Sequence, residues 1–131
     1  MLTKITVADY MTQRVVSVTK QTNVMDAIKK MLDHKITCAP VLDDQNNLIG
    51  MFSEKDGMRV FLESIYDQGA PVKVEDFMSK EIMSVDAQTS IVDLAEKFQH
   101  SSVRSFPVFD HGKLVGIISR TDVFKALVSI K

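Results

Sequence analysis

Gly50-Met51-Phe52-Ser53-Glu54-Lys55-Asp56 and Gly116-Ile117-Ile118-Ser119-Arg120-Thr121-Asp122 are one pattern written twice: Gly, two apolar residues, Ser, and Asp three positions later. Working outward, the shift of 66 also sets Leu48 on Leu114. Upstream of the turns that begin at Asp43 and Asp110 the shift becomes 67. It then aligns Pro40-Val41 with Pro107-Val108, Asp26 with Asp93, Gln21-Thr22 with Gln88-Thr89, and Asp9-Tyr10-Met11 with Asp76-Phe77-Met78. Sixteen of 55 aligned pairs are identical, and the one-residue difference falls in a turn, where a solvent loop tolerates it. A period this long is a domain duplication, not a solenoid. The copies divide as residues 1–66 and 67–131. One copy of roughly 55 residues is marginal alone, so two copies sharing a core about a pseudo-two-fold axis are expected.

Each copy reads as strand, helix, strand, strand, helix. Val15–Val18 and Ile82–Val85 read as short strands. Asn23 and Ser90 are N-cap residues, followed by apolar residues at helical spacing: Val24, Ala27, Ile28, Met31 and Leu32, then Ile91, Leu94, Ala95 and Phe98. Hairpins pair Cys38–Leu42 with Leu48–Phe52 and Phe106–Phe109 with Leu114–Ile118. Second helices run from Glu54 to about Tyr66 and from Arg120 to about Ile130, and Gly69-Ala70-Pro71 punctuates the junction.

Composition narrows the function. The 131 residues carry 16 Lys+Arg against 17 Asp+Glu, a net charge of −1, with 45% apolar residues. That is a globular composition, without the basic footprint that grips a nucleic-acid backbone. No apolar run approaches the ~18 residues of a membrane span, and no signal peptide is visible at the N-terminus. The lone Cys38 forms no internal disulfide and suits a reducing compartment, so a cytoplasmic location is expected.

The Gly-led motif sits where a strand ends and a helix begins. Backbone N–H groups and the helix dipole favour a phosphate there, Ser donates to phosphate or ribose oxygens, and an Asp carboxylate accepts from two vicinal hydroxyls. The same Ser-x-x-Asp spacing is a helix capping box; Ser90-x-x-Asp93 is read as a cap alone, and so is Asn23-x-x-Asp26. For the Gly-led motif both readings stand, its duplication in matching context favouring a ligand.

These residues resemble the cystathionine-β-synthase (CBS) domain family, a tandem pair of which forms a Bateman module. The resemblance rests on Asp9-Tyr10-Met11 and Asp76-Phe77-Met78, on Ala39-Pro40-Val41-Leu42-Asp43 and Phe106-Pro107-Val108-Phe109-Asp110, and on the two Gly-x-x-Ser-x-x-Asp motifs, covering residues 7–62 and 74–128. Small stand-alone bacterial Bateman proteins look closest. The resemblance implies an α+β fold of two pseudo-two-fold-related β-α-β-β-α repeats packed through their sheets. It also implies a non-enzymatic regulatory module binding adenosine-containing ligands (AMP, ADP, ATP or S-adenosylmethionine) in clefts built from both repeats.

Carried over by resemblance, one ligand set joins Ser119, Arg120 and Asp122 to Thr12, Val16, Ile36, Thr37 and Cys38. The other joins Ser53, Lys55 and Asp56 to Met83, Val103, Arg104 and Ser105. The Asp residues would hold ribose, the apolar strand residues would sandwich adenine, and Ser119 with Arg120, or Ser53 with Lys55, would lie near phosphates. Arg104 is a fixed cation where the other set has Thr37, so unequal sites are expected, and the scarcity of basic residues favours AMP or ADP over ATP. With no effector domain in the chain, the regulated protein is expected in trans. The second helices carry more apolar surface than one buried stripe needs; the alternatives are burial within the domain or, as in the family, a homodimer. A ligand-free dimerisation or interaction scaffold, with the motifs serving only as caps, is the competing function.

The remaining candidates read plainly. His34, His100 and His111 have no metal-ligand spacing, Cys38 reads as a small core residue, and no nucleophile–base set is evident. The eight methionines read mostly as core packing.

Overall fold

A computed structural model describes residues 4–64 and 72–129; Tyr66, Gly69-Ala70-Pro71 and Ile130, named above, lie outside them. In chain order the elements are α1 (Val7–Tyr10), β1 (Val18–Thr19), α2 (Val24–Asp33), β2 (Cys38–Leu42), β3 (Leu48–Ser53), α3 (Glu54–Ser64), a 3₁₀ turn (Val74–Asp76), β4 (Val85–Asp86), α4 (Ile91–Gln99), β5 (Ser105–Asp110), β6 (Lys113–Ser119) and α5 (Arg120–Val128). The mixed α+β class and the duplication are borne out.

The folded units cross the sequence copies. One unit is Val16–Ile82; the other joins Met1–Val15 to Met83–Lys131. The reason lies in the segment that leads each copy. The N–H groups of Val7 and Ala8 donate to Thr89 and Ala87 carbonyls at 2.8 and 2.9 Å, and those of Val74 and Glu75 donate to Thr22 and Lys20 at 2.9 and 3.1 Å. Val7 and Val74 are fully buried, each worth roughly 1.5–3 kcal/mol of transfer free energy. Asp9 and Asp76 stabilise these turns: their Oδ2 atoms accept the Thr6 N–H at 2.9 Å and the Lys73 N–H at 3.4 Å.

Each unit holds a three-stranded sheet, β1-β2-β3 or β4-β5-β6. The outer short strand runs parallel to the middle one, and the hairpin is antiparallel. The expected first strands, Val15–Val18 and Ile82–Val85, are corrected to Val18–Thr19 and Val85–Asp86. Proline explains the shift. Pro40 opposes Met51, whose own N–H and C=O turn away to Ser79 at 3.0 and 2.9 Å. Pro40 therefore faces β1 with no N–H to donate, and the parallel ladder starts only at Val18↔Val41. Pro107 and Val85↔Val108 repeat the arrangement.

The helices meet the sheets along the expected apolar stripes, with corrections. Val24, Ala27 and Met31 of α2 and Ile91, Leu94 and Phe98 of α4 are buried, but Leu32 is exposed. On α3 the buried residue is Val60, while Met58, Phe61 and Leu62 face outward. On α5, Val123 and Ala126 are buried, and Phe124, Leu127 and Val128 are exposed. The methionines divide as well: Met31 and Met51 are core, whereas Met25, Met58 and Met83 are exposed. The expected N-caps form, Asn23 accepting from Met25 N–H at 2.8 Å and Ser90 from Asp93 N–H at 3.1 Å.

Candidate functional site

The Ser-x-x-Asp motifs build identical junctions in the two units. Ser53 ends β3 and Asp56 lies in the first turn of α3. The Asp56 Oδ2 accepts the Ser53 N–H at 2.9 Å and its hydroxyl at 3.0 Å. The Asp122 Oδ2 accepts the same groups of Ser119 at 2.9 and 3.1 Å, and each Asp N–H returns a bond to the serine Oγ at 3.3 Å. The capping box is therefore real in both copies. It ends on one carboxylate oxygen, and each Asp has a second. Asp122 is buried at 8% exposure; Asp56 is half-buried.

The glycine of the motif makes room for another stretch of backbone. A Cβ on Gly116 would lie 2.8 Å from both the Thr12 carbonyl and Met11 Sδ, and one on Gly50 would lie 2.9 Å from the Ser79 carbonyl and 2.5 Å from Met78 Sδ. A leading segment, not a ligand, occupies that space.

Of the first ligand set, Thr12 is brought to Ile117, two residues before Ser119, by paired backbone bonds of 2.8 and 3.0 Å. Ile36, Thr37 and Cys38 lie in the other unit, beside Ser53: Cys38 pairs with Ser53, and Glu54 N–H donates to the Thr37 carbonyl at 3.0 Å. Arg104 makes the matching contact, its carbonyl accepting from Arg120 N–H at 3.2 Å. Val103 packs partly against the core of that unit, Ser105 opposes Ser119, Val16 is half-buried, and Met83 is exposed. Lys55 and Arg104 are exposed. The Arg120 guanidinium donates to the Ser101 carbonyl at 3.4 Å and lies 6.0 Å from the Phe98 ring centroid. It lines a groove of about 490 Å³ between α4 and α5.

Sequence reasoning passed over Lys30 and Lys97. Their ammonium groups donate to Ser17 and Ser84 carbonyls at 2.7 and 2.9 Å, tethering the residues that follow Val16 and Met83. Identity at the 67-residue shift was the available signal. Burial, reinforced by the charge of Asp56, pushes the Cys38 thiol up to about 12, so it stays protonated and unreactive. His34 and His100 cap helices, and His111 sits exposed in a turn at φ 51°. Among the described residues no group of three or more His, Cys, Asp or Glu has the geometry for a metal, and no helix is long and apolar enough to cross a membrane.

The CBS domain model matches residues 7–63 and 74–129. The chain belongs to the CBS-domain family. Among relatives of this CBS pair, an uncharacterized 17.7 kDa protein of Acidianus ambivalens is 30% identical over 95% of the chain and 74% of its own length. An uncharacterized protein of Methanocaldococcus jannaschii is 28% identical over 94% of the chain, which spans 43% of that relative. CBSX2, a CBS-pair protein from Arabidopsis thaliana, has been solved in complex with AMP; it is 32% identical, with a TM-score of 0.80, covering 96% of this chain and 98% of that one.

Proposed function

We propose that this chain is a regulatory module that binds adenosine-containing ligands, AMP or ADP foremost, and signals their presence to a protein in trans in the cytoplasm. The similarity to CBSX2, solved with AMP and matched along nearly its whole length, carries this reading. The junction chemistry agrees with it. Each Asp spends one oxygen on its own helix and has another to accept from ribose hydroxyls. In one set Asp122, Ser119 and Arg120 act with Thr12, Val16, Ile36, Thr37 and Cys38. In the other Asp56, Ser53 and Lys55 act with Met83, Val103, Arg104 and Ser105. Signalling requires the ligand to favour one of two arrangements of the protein. The exposed faces of α3 and α5 mediate a homodimer.

Calorimetry with AMP, ADP, ATP, NADH and S-adenosylmethionine tests this. Saturable AMP or ADP binding is expected, with Asp56→Ala and Asp122→Ala each removing one site; no saturable binding by any of the five sinks the proposal. The capping boxes favour a second reading, a ligand-free scaffold, under which both variants lose about 1 kcal/mol of stability and no ligand binds.

A further inference from the structure

The duplication sets the two helix faces against each other position by position. At the shift of 67, Ala95, Glu96 and Gln99 of α4 match Ile28, Lys29 and Leu32 of α2; at 66, Val123, Phe124 and Leu127 of α5 match Gly57, Met58 and Phe61 of α3. Between α4 and α5 lies the groove of about 490 Å³, lined by Ala95, Phe98, Val123, Phe124 and Leu127. In the other unit Ile28 fills the matching space: a Cβ on Gly57 would lie 3.6 Å from Ile28 Cδ1. Leu32, Met58 and Phe61 stand exposed around it. One face is hollow where the other is raised. The rims differ in charge as well. Glu96 and Lys29 are both exposed, and neither side chain has a hydrogen-bond or ion-pair partner among the described residues. Arg120, the cation in the groove, is held by the Ser101 carbonyl and the Phe98 ring.

Resting on the homodimer proposed above, we infer that its protomers pack unlike faces: the α4–α5 groove of one protomer receives Leu32, Met58 and Phe61 of its partner, with Glu96 and Lys29 opposed across the rim. Each face lies wholly within one unit. Packing like faces would set hollow against hollow and raised against raised, with acid on acid and base on base. Packing unlike faces seats apolar side chains in an apolar groove and brings a carboxylate to an ammonium.

The experiment is sedimentation equilibrium at low salt on the wild type, on Glu96→Lys, on Lys29→Glu and on the chain carrying both changes. In unlike packing each single reversal sets like charges across the contact and raises the dimer dissociation constant about tenfold. The double reversal exchanges the two charges and restores the wild-type value, which also shows that the single variants fail by charge and not by misfolding. The effect of each single reversal shrinks in high salt. In like packing a single reversal only replaces one like pair by another, and the dissociation constant stays as it was. If the single reversals leave it unchanged, or the double reversal dissociates as readily as the singles, the inference is wrong while the homodimer stands. If the wild type is monomeric at every concentration, the homodimer falls and the inference with it.

Discussion

Thr12 and Ile117 exchange both backbone hydrogen bonds, N–H to C=O in each direction, at 2.8 and 3.0 Å. Ser79 and Met51 do the same at 2.9 and 3.0 Å. Through these pairs each copy of the duplicated sequence lends its first residues to the sheet of the other. The segment lies against the glycine that opens the Ser-x-x-Asp motif, so the glycine, the crossing segment and the helix-capping aspartate form one connected device.

Glycine substitutions read that device directly. Gly116→Ala and Gly50→Ala force a Cβ against a backbone carbonyl at 2.8 and 2.9 Å. Each is expected to cost about 1–3 kcal/mol. Gly57→Ala is the contrast: its Cβ meets Ile28 at an ordinary 3.6 Å inside α3, and the helix gains about 0.4–1 kcal/mol. Urea midpoints measure all three, and loss at Gly57 with none at Gly116 would contradict the packing described.

Much of this was legible in sequence because the duplication exposes it. The hairpins follow from Asp43 and Asp110, which open turns between apolar runs. The caps at Asn23 and Ser90 follow from local hydrogen-bonding chemistry. The exchange of leading segments was not legible: Val7 and Val74 match at the shift, but their buried partners are far along the chain, and nothing local names them. Nor was the short first strand, which Pro40 and Pro107 truncate from the neighbouring strand. On α3, the apolar stripe Met58-Phe61-Leu62 outweighs Val60 in the sequence, yet Val60 is the residue the sheet covers. Ser53 and Asp56 were legible as a capped junction, whereas the turning of Arg120 onto Ser101 depends on tertiary contacts alone.

Cys38 gives a pH dependence of definite sign. Its thiol is raised from the ordinary 9.0 to about 12 by burial and then by Asp56. Below the unfolded value both states are protonated and the contribution is constant. As pH rises from about 9 toward about 12, the unfolded chain releases a proton that the folded chain keeps, and stability falls. Between about pH 8 and about pH 10.5 the wild type should therefore lose more stability than Cys38→Ala, measured by urea unfolding. Iodoacetamide at the lower pH should label Cys38 in urea and leave the native protein unmodified; rapid native labelling would refute the protonated, enclosed thiol.

Lys30→Met and Lys97→Met keep the aliphatic stem and remove the ammonium that holds Ser17 or Ser84. Lys30 is exposed and Lys97 half-buried, each on a hydrogen bond at the surface, so the stability loss is expected below about 1 kcal/mol. Lys97 also lies 5.5 Å from the centroid of the Phe106 ring, which makes Lys97→Met the costlier change. Amide exchange at Val18 and Val85 should quicken in the respective variants. Unchanged exchange at both would show that the strands hold these segments without the tethers.

The outer faces of α3 and α5 provide the last test. Phe61 is 63% exposed and Phe124 68% exposed, while the same helices bury Val60, Val123 and Ala126 against their own units. Surface substitutions away from such buried positions usually stay within about 0.5 kcal/mol, so Phe61→Glu and Phe124→Glu should leave the fold intact. A charge in the centre of an apolar interface is strongly unfavourable, since desolvating it finds no partner. Light scattering on the wild type should give twice the chain mass, and each variant should shift toward the monomer with its circular dichroism spectrum unchanged. A monomeric wild type would remove the homodimer and leave these faces to a different protein.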